Sequence, residues 1–161
     1  MPYPFFLTFA FCRVIIEKNA VWEVPGLEDC DRLCGIKILL CEDHPINAQI
    51  VKGVLEKQGM AVDLAENGRE GVELFARSGV GEYAAVLMDV NMPVLDGLGA
   101  AREIRALGRA DAASVPMIAM TADDAQQFVD DAYAVGMDAF TTKPIVPKQL
   151  FELLLKLLNE R

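Results

Sequence analysis

The protein is a chain of 161 residues, a length typical of one compact domain with a short extension and too short for a second large domain. Its 15 Lys and Arg residues against 24 Asp and Glu residues give a net charge of −9, which argues against broad contact with nucleic acid. Apolar residues make up 53 % and charged residues 24 %, a composition that supports a buried core and excludes general disorder.

The first 35 residues differ in pattern from the rest of the chain. Residues 1–16 are apolar, but no positive charge precedes the run, and it is shorter than the about 20 apolar residues that span a bilayer. Residues 21–35 have no sustained period and are typical of a linker. We predict an N-terminal extension over 1–35 and a folded domain over 36–161. An interfacial anchor, an added strand and the end of an upstream domain are all compatible with the extension.

Beyond the extension, apolar runs of strand length alternate with segments of helical period. The predicted strands are 36–41, 60–64, 83–88, 115–120 and 139–142. A helix is predicted after each strand, with ends near residues 59, 79, 107, 136 and 158. In the first helix, we expect one face to carry Ile46, Ile50, Val51, Val54 and Leu55.

Five strands alternating with five helices predict an α/β fold with a doubly wound parallel sheet, flavodoxin-like, in the order 2-1-3-4-5. In such sheets the site forms beyond the carboxyl ends of the strands, where the strand order reverses. The polar residues that follow the predicted strands at this edge are Glu42, Asp43, Asp89, Thr121 and Lys143.

These residue types in one place favour phosphoryl transfer. Three carboxylates repel one another, and a hard divalent cation such as Mg²⁺ relieves that repulsion. Asp89, at the end of an apolar strand, is placed to act as a nucleophile. Lys143 and Thr121 supply a positive charge and a hydroxyl donor for phosphoryl oxygens.

Other interpretations stay open at this point. Taken singly, an Asp, Thr or Lys after a strand is commonly a turn or cap residue. A zinc site is a second alternative, because Cys30, Cys34, Cys41 and His44 form a C-x3-C-x6-C-x2-H string. That spacing lacks the close C-x2-C pair of structural zinc sites and Cys41 belongs to an apolar strand, so buried or idle thiols in a reducing compartment are the favoured interpretation.

Four motifs resemble a known family over residues 36–158. They are ILLCEDHPIN, VLMDVNMPVLDG, MIAMTA and GMDAFTTKPI. In this order, at the ends of these strands, they resemble the receiver domains of two-component response regulators, and most of all the receivers of hybrid sensor histidine kinases. The resemblance implies that Asp89 accepts a phosphoryl group from the phosphohistidine of a histidine kinase or a histidine phosphotransfer domain. Such a domain catalyses its own phosphorylation and dephosphorylation without being a conventional enzyme.

The resemblance also implies a role for each site residue. Asp43, Asp89 and the backbone carbonyl of Asn91 would hold Mg²⁺, and Glu42 would support it through water. Thr121 and Lys143 would contact the phosphoryl group. Thr121 would move together with Phe140, at a position where Tyr is more usual in this family.

The residues beside the phosphoryl group suggest a short-lived phosphorylated state. Asn91 and Asp123 lie two residues beyond Asp89 and Thr121, and both are small or medium polar groups that leave a path for water. In the family that the chain resembles, an amide and an acid at these places go with fast loss of phosphate.

Three further expectations concern partners, location and rival functions. The last helix is apolar around more than one face, which predicts either a homodimer or packing against residues 1–16. We expect a cytoplasmic location, alone or within a membrane-associated hybrid kinase.

Two rival functions are a receiver-like scaffold that is not phosphorylated and a haloacid-dehalogenase-like phosphatase. The phosphatase is disfavoured because Asn91 stands where that family has the second Asp of a D-x-D motif.

Overall fold

The computed structural model describes residues 32–122 and 126–160, with the side chains of 126 and 127 excepted. They form a five-stranded parallel sheet in the order β2-β1-β3-β4-β5, so the predicted fold is confirmed. The strands are β1 (Lys37–Cys41), β2 (Ala61–Ala65), β3 (Ala85–Asp89), β4 (Met117–Thr121) and β5 (Ala139–Thr142). The helices are α1 (Pro45–Lys57), α2 (Gly68–Arg77), α3 (Gly97–Arg105), α4 (Gln126–Ala134) and α5 (Pro147–Asn159).

Helices cover both faces of the sheet, as parallel strands require. On one face, α1 and α5 pack against a cluster that includes Leu40, Leu55 and Leu154. On the other face, α2, α3 and α4 surround a cluster that includes Phe75 and Ile104. Because β3 and β4 are buried along their whole length, their side chains are apolar until the last residue of each strand.

Local capping places two helix starts at the carboxyl edge of the sheet. Asn67 Oδ1 accepts a hydrogen bond of 2.9 Å from the backbone N–H of Glu70, at the start of α2. Asp96 Oδ1 accepts one of 2.7 Å from the N–H of Gly99, at the start of α3. These caps fix where the chain turns from the functional edge into each helix.

The expected buried face of α1 is wrong in part. Val51 and Leu55 are buried, but Ile46 is 63 % exposed and Ile50 is 56 % exposed. A helix that lies on a sheet buries only one stripe, and the inward stripe of α1 runs through Ala48, Val51 and Leu55. The two isoleucines therefore face away from the sheet.

The predicted division at residue 35 stays a prediction. Leu33, just before it, is 1 % exposed and packs in the same cluster as β1 and α5. Within the described ranges, no helix is long and apolar enough to cross a membrane.

Gly97 allows α3 to start directly against the strand that carries Asp89. Its N–H donates a hydrogen bond of 2.9 Å to the carbonyl oxygen of Val90. A Cβ built at position 97 would overlap the carbonyl oxygen of Asp89. Close approach of two backbones therefore requires glycine here.

We expect Gly97→Ala to lower the free energy of unfolding by about 1–3 kcal/mol, because the backbone of Asp89 must move. Gly53 in α1 provides the matched control, since a Cβ there meets nothing within 4 Å. Gly53→Ala should raise the free energy of unfolding by up to about 1 kcal/mol, because Ala favours helix. Urea titrations measure both changes. Equal effects of the two substitutions would contradict the assigned contact.

Candidate functional site

The strand order brings the predicted polar residues together at one edge of the sheet. β1 lies beside β3, β3 beside β4, and β4 beside β5. Asp89 is the last residue of β3 and Thr121 the last of β4, whereas Lys143 directly follows β5. Parallel pairing aligns these ends in space.

Three carboxylates form the centre of the site. Glu42, Asp43 and Asp89 offer oxygen atoms that all lie within 4.8 Å of one another. Glu42 and Asp89 are buried, whereas Asp43 is exposed. Within residues 32–122 and 126–160, this is the one group of three acidic, Cys or His side chains placed to hold a metal ion.

Lys143 places its ammonium group between two of these carboxylates. Its Nζ donates a hydrogen bond of 2.7 Å to Asp89 Oδ2 and lies 2.7 Å from Glu42 Oε2. The N–H of Lys143 also donates a hydrogen bond of 2.7 Å to the carbonyl oxygen of Thr121, which fixes the residue against β4.

Burial and charge shift the pKa values of this pair. Burial raises the pKa of Asp89, and this effect outweighs the hydrogen bond and charge of Lys143, which favour the carboxylate; the Glu42 charge raises it further. Burial by itself lowers the pKa of Lys143, but the hydrogen bond to Asp89 and the negative charges of Asp89 and Glu42 outweigh it, so the pKa is raised. Lys143 is therefore held as an ammonium ion, whereas burial works against the charged form of Asp89.

Backbone donors orient the two buried acids. Asp89 Oδ1 accepts a hydrogen bond of 3.1 Å from the N–H of Asn91, and Glu42 Oε1 accepts one of 3.2 Å from the N–H of His44. The side chain of Asn47 adds a contact of 3.5 Å to the same Glu42 oxygen. Sequence reasoning missed Asn47, although a polar residue in the first helical turn after an acid pair is a usable signal.

Thr121 and Phe140 share one face of the sheet. Thr121 pairs with Thr142 in the parallel register, and Phe140 precedes Thr142 by two residues. Residues two apart in a strand point to the same face. Thr121 is buried, and Phe140 is half-buried against the cluster beneath α2, α3 and α4. Asp123 lies outside the described residues.

The donor set suits a hard cation and gives no support to zinc. Carboxylate oxygens are ligands that Mg²⁺ prefers, and Lys143 compensates only one of the three negative charges. Cys34 precedes β1 and His44 follows it, so they lie at opposite ends of a strand, and Cys41 is buried. Burial raises the pKa of the Cys41 thiol, which disfavours the thiolate that zinc requires. Cys30 lies outside the described residues.

Comparisons with known proteins agree with this geometry. Residues 38–155 match the model of the response regulator receiver domain. Histidine kinase 5 of Arabidopsis thaliana is 37 % identical over 147 residues, which cover 76 % of this chain and 16 % of that protein. The chain spans only 6–16 % of the length of the first curated relatives it matches.

Two solved structures give the same result. One is the receiver domain of a sensor histidine kinase from Pseudomonas aeruginosa, with a magnesium ion in its active-site cleft. It is 35 % identical, has a TM-score of 0.70, and the match covers 78 % of this chain and 99 % of that one. The other is a complex of the Saccharomyces cerevisiae phosphotransfer protein Ypd1 with the receiver domain of the response regulator Ssk1. It has a TM-score of 0.67 and 30 % identity, over 75 % of this chain and 87 % of that one. Residues 38–155 are a receiver domain, and the chain belongs to the response regulator receiver family of two-component signalling.

Proposed function

We propose that Asp89 accepts a phosphoryl group from a phosphohistidine in the presence of Mg²⁺, and that the product changes contacts with other proteins. The observation that carries this proposal is the Asp89 carboxylate, with the Lys143 ammonium 2.7 Å from its Oδ2 atom, inside a cluster of three acids. The magnesium ion in the Pseudomonas receiver domain supports the choice of cation.

In the transfer step, a carboxylate oxygen of Asp89 forms a bond to phosphorus as the bond between phosphorus and the donor imidazole nitrogen breaks. The electron pair of the broken bond stays on the imidazole. Lys143 donates to the phosphoryl oxygens, where negative charge collects, and Thr121 offers its hydroxyl to the same group. Hydrolysis later returns the Asp89 carboxylate and inorganic phosphate.

The chain has the residues to hold the cation. Asp43, Asp89 and the carbonyl oxygen of Asn91 would bind it directly, and Glu42 would support it through water. When bound, Mg²⁺ neutralises the carboxylates and polarises the phosphoryl group. Its charge also opposes the burial that raises the pKa of Asp89, and so favours the nucleophilic carboxylate.

Thr121 and Phe140 provide the switch in this proposal. Their side chains lie on the same face of β4 and β5. A displacement of Thr121 toward a phosphoryl group would change the space next to the half-buried Phe140 ring. The absence of a hydroxyl on Phe140 means that packing, rather than a hydrogen bond, carries the signal at this ring.

We expect the chain to gain the mass of one phosphoryl group on incubation with acetyl phosphate and Mg²⁺, as measured by intact mass spectrometry. Asp89→Asn should abolish the gain because it removes the nucleophile, and a chelator should abolish it in the unmutated chain. Thr142→Ser, at an exposed residue beside the site, is the control and should keep the gain. A gain that persists in Asp89→Asn would exclude Asp89 as the acceptor, and no gain in any protein would favour a non-phosphorylated scaffold.

Exposed apolar residues in elements that adjoin the site favour a protein donor. Ile46 and Ile50 lie one turn apart on the outer side of α1, which begins two residues after Asp43. Val94, in the loop after β3, is 82 % exposed with a positive φ of 68°, a costly conformation for a β-branched residue. We infer that these three residues dock the domain that carries the phosphohistidine. The Ssk1 receiver domain, a relative, forms a complex with the phosphotransfer protein Ypd1.

The double substitution Ile46→Ser/Ile50→Ser should slow transfer from phosphorylated Ypd1 about tenfold or more, because it removes apolar contact area at the interface. Phosphorylation by acetyl phosphate, which needs no docking, should stay within about twofold of the unmutated rate. Val80→Ser is the control, since Val80 is 73 % exposed in the connection after α2, at the opposite edge of the sheet. Slowing of both reactions alike would contradict a docking role.

We also propose a short-lived phosphorylated state. The exposed side chain of Asn91 and the acid at position 123 would leave water a path to the phosphoryl group. Replacing Asn91 and Asp123 by Met and Lys should lengthen the half-life of the phosphorylated chain about tenfold, because bulk and charge obstruct the attacking water. Intact mass after removal of the donor follows the decay. A half-life of hours in the unmutated chain, or no lengthening in the variant, would refute this hypothesis.

A homodimer through α5 is a further proposal. Leu153, Leu157 and Phe140 line an open groove of about 570 Å³ next to the exposed Tyr133. Sedimentation of the phosphorylated chain tests it, and a strict monomer at all concentrations would contradict it.

A cytoplasmic location, alone or within a membrane-associated hybrid kinase, is proposed on the family resemblance.

A further inference from the structure

Glu42 is the most deeply buried acid of the site, with 1 % of the residue exposed. Its Oε1 atom is held by the N–H of His44 at 3.2 Å and by the side chain of Asn47 at 3.5 Å. Its Oε2 atom meets no donor at hydrogen-bonding angles among the described residues, and the Lys143 ammonium contacts it as an ion pair at 2.7 Å. One oxygen is therefore tied to the backbone, and the other faces the lysine.

Lys143 depends on such anchors for a defined position. A lysine ammonium is a point charge on a flexible four-carbon stem, so a single partner leaves it several rotamers. Here two carboxylates, from the ends of β1 and β3, each lie 2.7 Å from Nζ. Because the His44 N–H fixes Glu42, the second contact restricts the ammonium to one place beside Asp89 Oδ2.

We propose that Glu42 is a positioning residue for Lys143, which it holds where negative charge collects on the phosphoryl group. This inference rests on the proposed phosphoryl transfer to Asp89. It goes beyond support of the cation through water, because it predicts that loss of Glu42 lowers the maximal rate through Lys143 even when Mg²⁺ is saturating.

The role is consistent with the transfer step. When the carboxylate of Asp89 forms its bond to phosphorus, it loses negative charge, and its attraction for the ammonium falls. Glu42 takes no part in bond formation and keeps its charge. It therefore retains Lys143 in the site while the transferred charge passes to the phosphoryl oxygens, so that little reorganisation is needed.

A double-mutant cycle tests the assignment. The proteins are the unmutated chain, Glu42→Gln, Lys143→Gln and the double variant, each phosphorylated by acetyl phosphate over a range of Mg²⁺ concentrations. Glu42→Gln keeps the shape of the side chain and an acceptor for His44 but loses the charge. Asp43→Asn is the control for a direct effect on the cation, and Asp89→Asn reports separately whether the proposed acceptor is right.

At saturating Mg²⁺, Glu42→Gln should lower the maximal rate about tenfold. In the Lys143→Gln background the same substitution should change the maximal rate less than about twofold. Asp43→Asn should instead raise the half-saturating Mg²⁺ concentration. The inference is overturned by an unchanged rate in Glu42→Gln, by equal losses in both backgrounds, or by a Mg²⁺ shift like that of Asp43→Asn at an unchanged maximal rate.

Melting temperatures of the same four proteins, measured in chelator, give a second readout that does not require activity. Lys143→Gln leaves the two buried carboxylates, Glu42 and Asp89, without the lysine ammonium and should lower the melting temperature. Adding Glu42→Gln should restore part of that loss, because one unpaired buried charge is removed. A further fall in the double variant would contradict the ion pair. If Glu42→Gln does not fold, Glu42→Asp, which keeps the charge but is one methylene shorter, should show the same dependence on Lys143 with a smaller loss of rate.

Discussion

Repulsion among three carboxylates is the interaction on which the site depends. Glu42, Asp43 and Asp89 place their oxygens within 4.8 Å of one another, and two of these acids are buried. In water such charges would separate, but here they are fixed by strands that cannot move apart without loss of the core. The Lys143 ammonium offsets part of the repulsion, and the rest leaves an arrangement that a divalent cation stabilises.

The parallel sheet limits the free-energy cost of holding the three acids together. All five strands end at the same edge, and the two buried strands β3 and β4 each carry a polar group only at the last residue, while the residues before it are apolar. The N–H groups of His44 and Asn91 lie beyond the ends of β1 and β3. They donate hydrogen bonds to Glu42 and Asp89 and so orient these acids. Acid positions are thus set mainly by backbone, and Lys143 is set by the acids. The flexible Lys143 side chain therefore depends on its two charged partners, Glu42 and Asp89, for a defined position.

Much of the fold follows from the sequence because strand ends and helix starts have local chemical signals. β5 has the bounds expected from its apolar run, and α1 and α5 begin at the prolines that favour a first helical turn. The polar residues at the strand ends also come together as the strand order requires. Periodicity failed at Ile46 and Ile50, because an apolar residue on an exposed face has the same spacing as one that packs on the sheet. The place of Asn47 in the first helical turn after an acid pair is a signal in the sequence, but its partner Glu42 depends on side-chain reach across a helix start.

At the edge of the sheet opposite the site, two arginines connect loops and helix ends by hydrogen bonds. Arg105 is the last residue of α3. It donates hydrogen bonds to the carbonyl oxygens of Ala112 and Gly136 at 2.9 Å each and to the Asp138 carboxylate at 3.0 Å. Arg109 donates to carbonyl oxygens at the end of α2, that of Phe75 at 2.7 Å and that of Ala76 at 3.2 Å.

These arginines tie loops and helix ends to one another with hydrogen bonds from a charged group, which are stronger than neutral ones. The edge opposite the site is thus held by arginine contacts, whereas at the carboxyl edge Lys143 offsets only part of the repulsion among the three acids. The separation matters because a change of charge at Asp89 alters the energy of the carboxyl edge without loosening the contacts that hold α2, α3 and α4 at their other ends. In the proposed function, a phosphoryl group on Asp89 would therefore act on the carboxyl edge and leave the arginine contacts at the opposite edge in place.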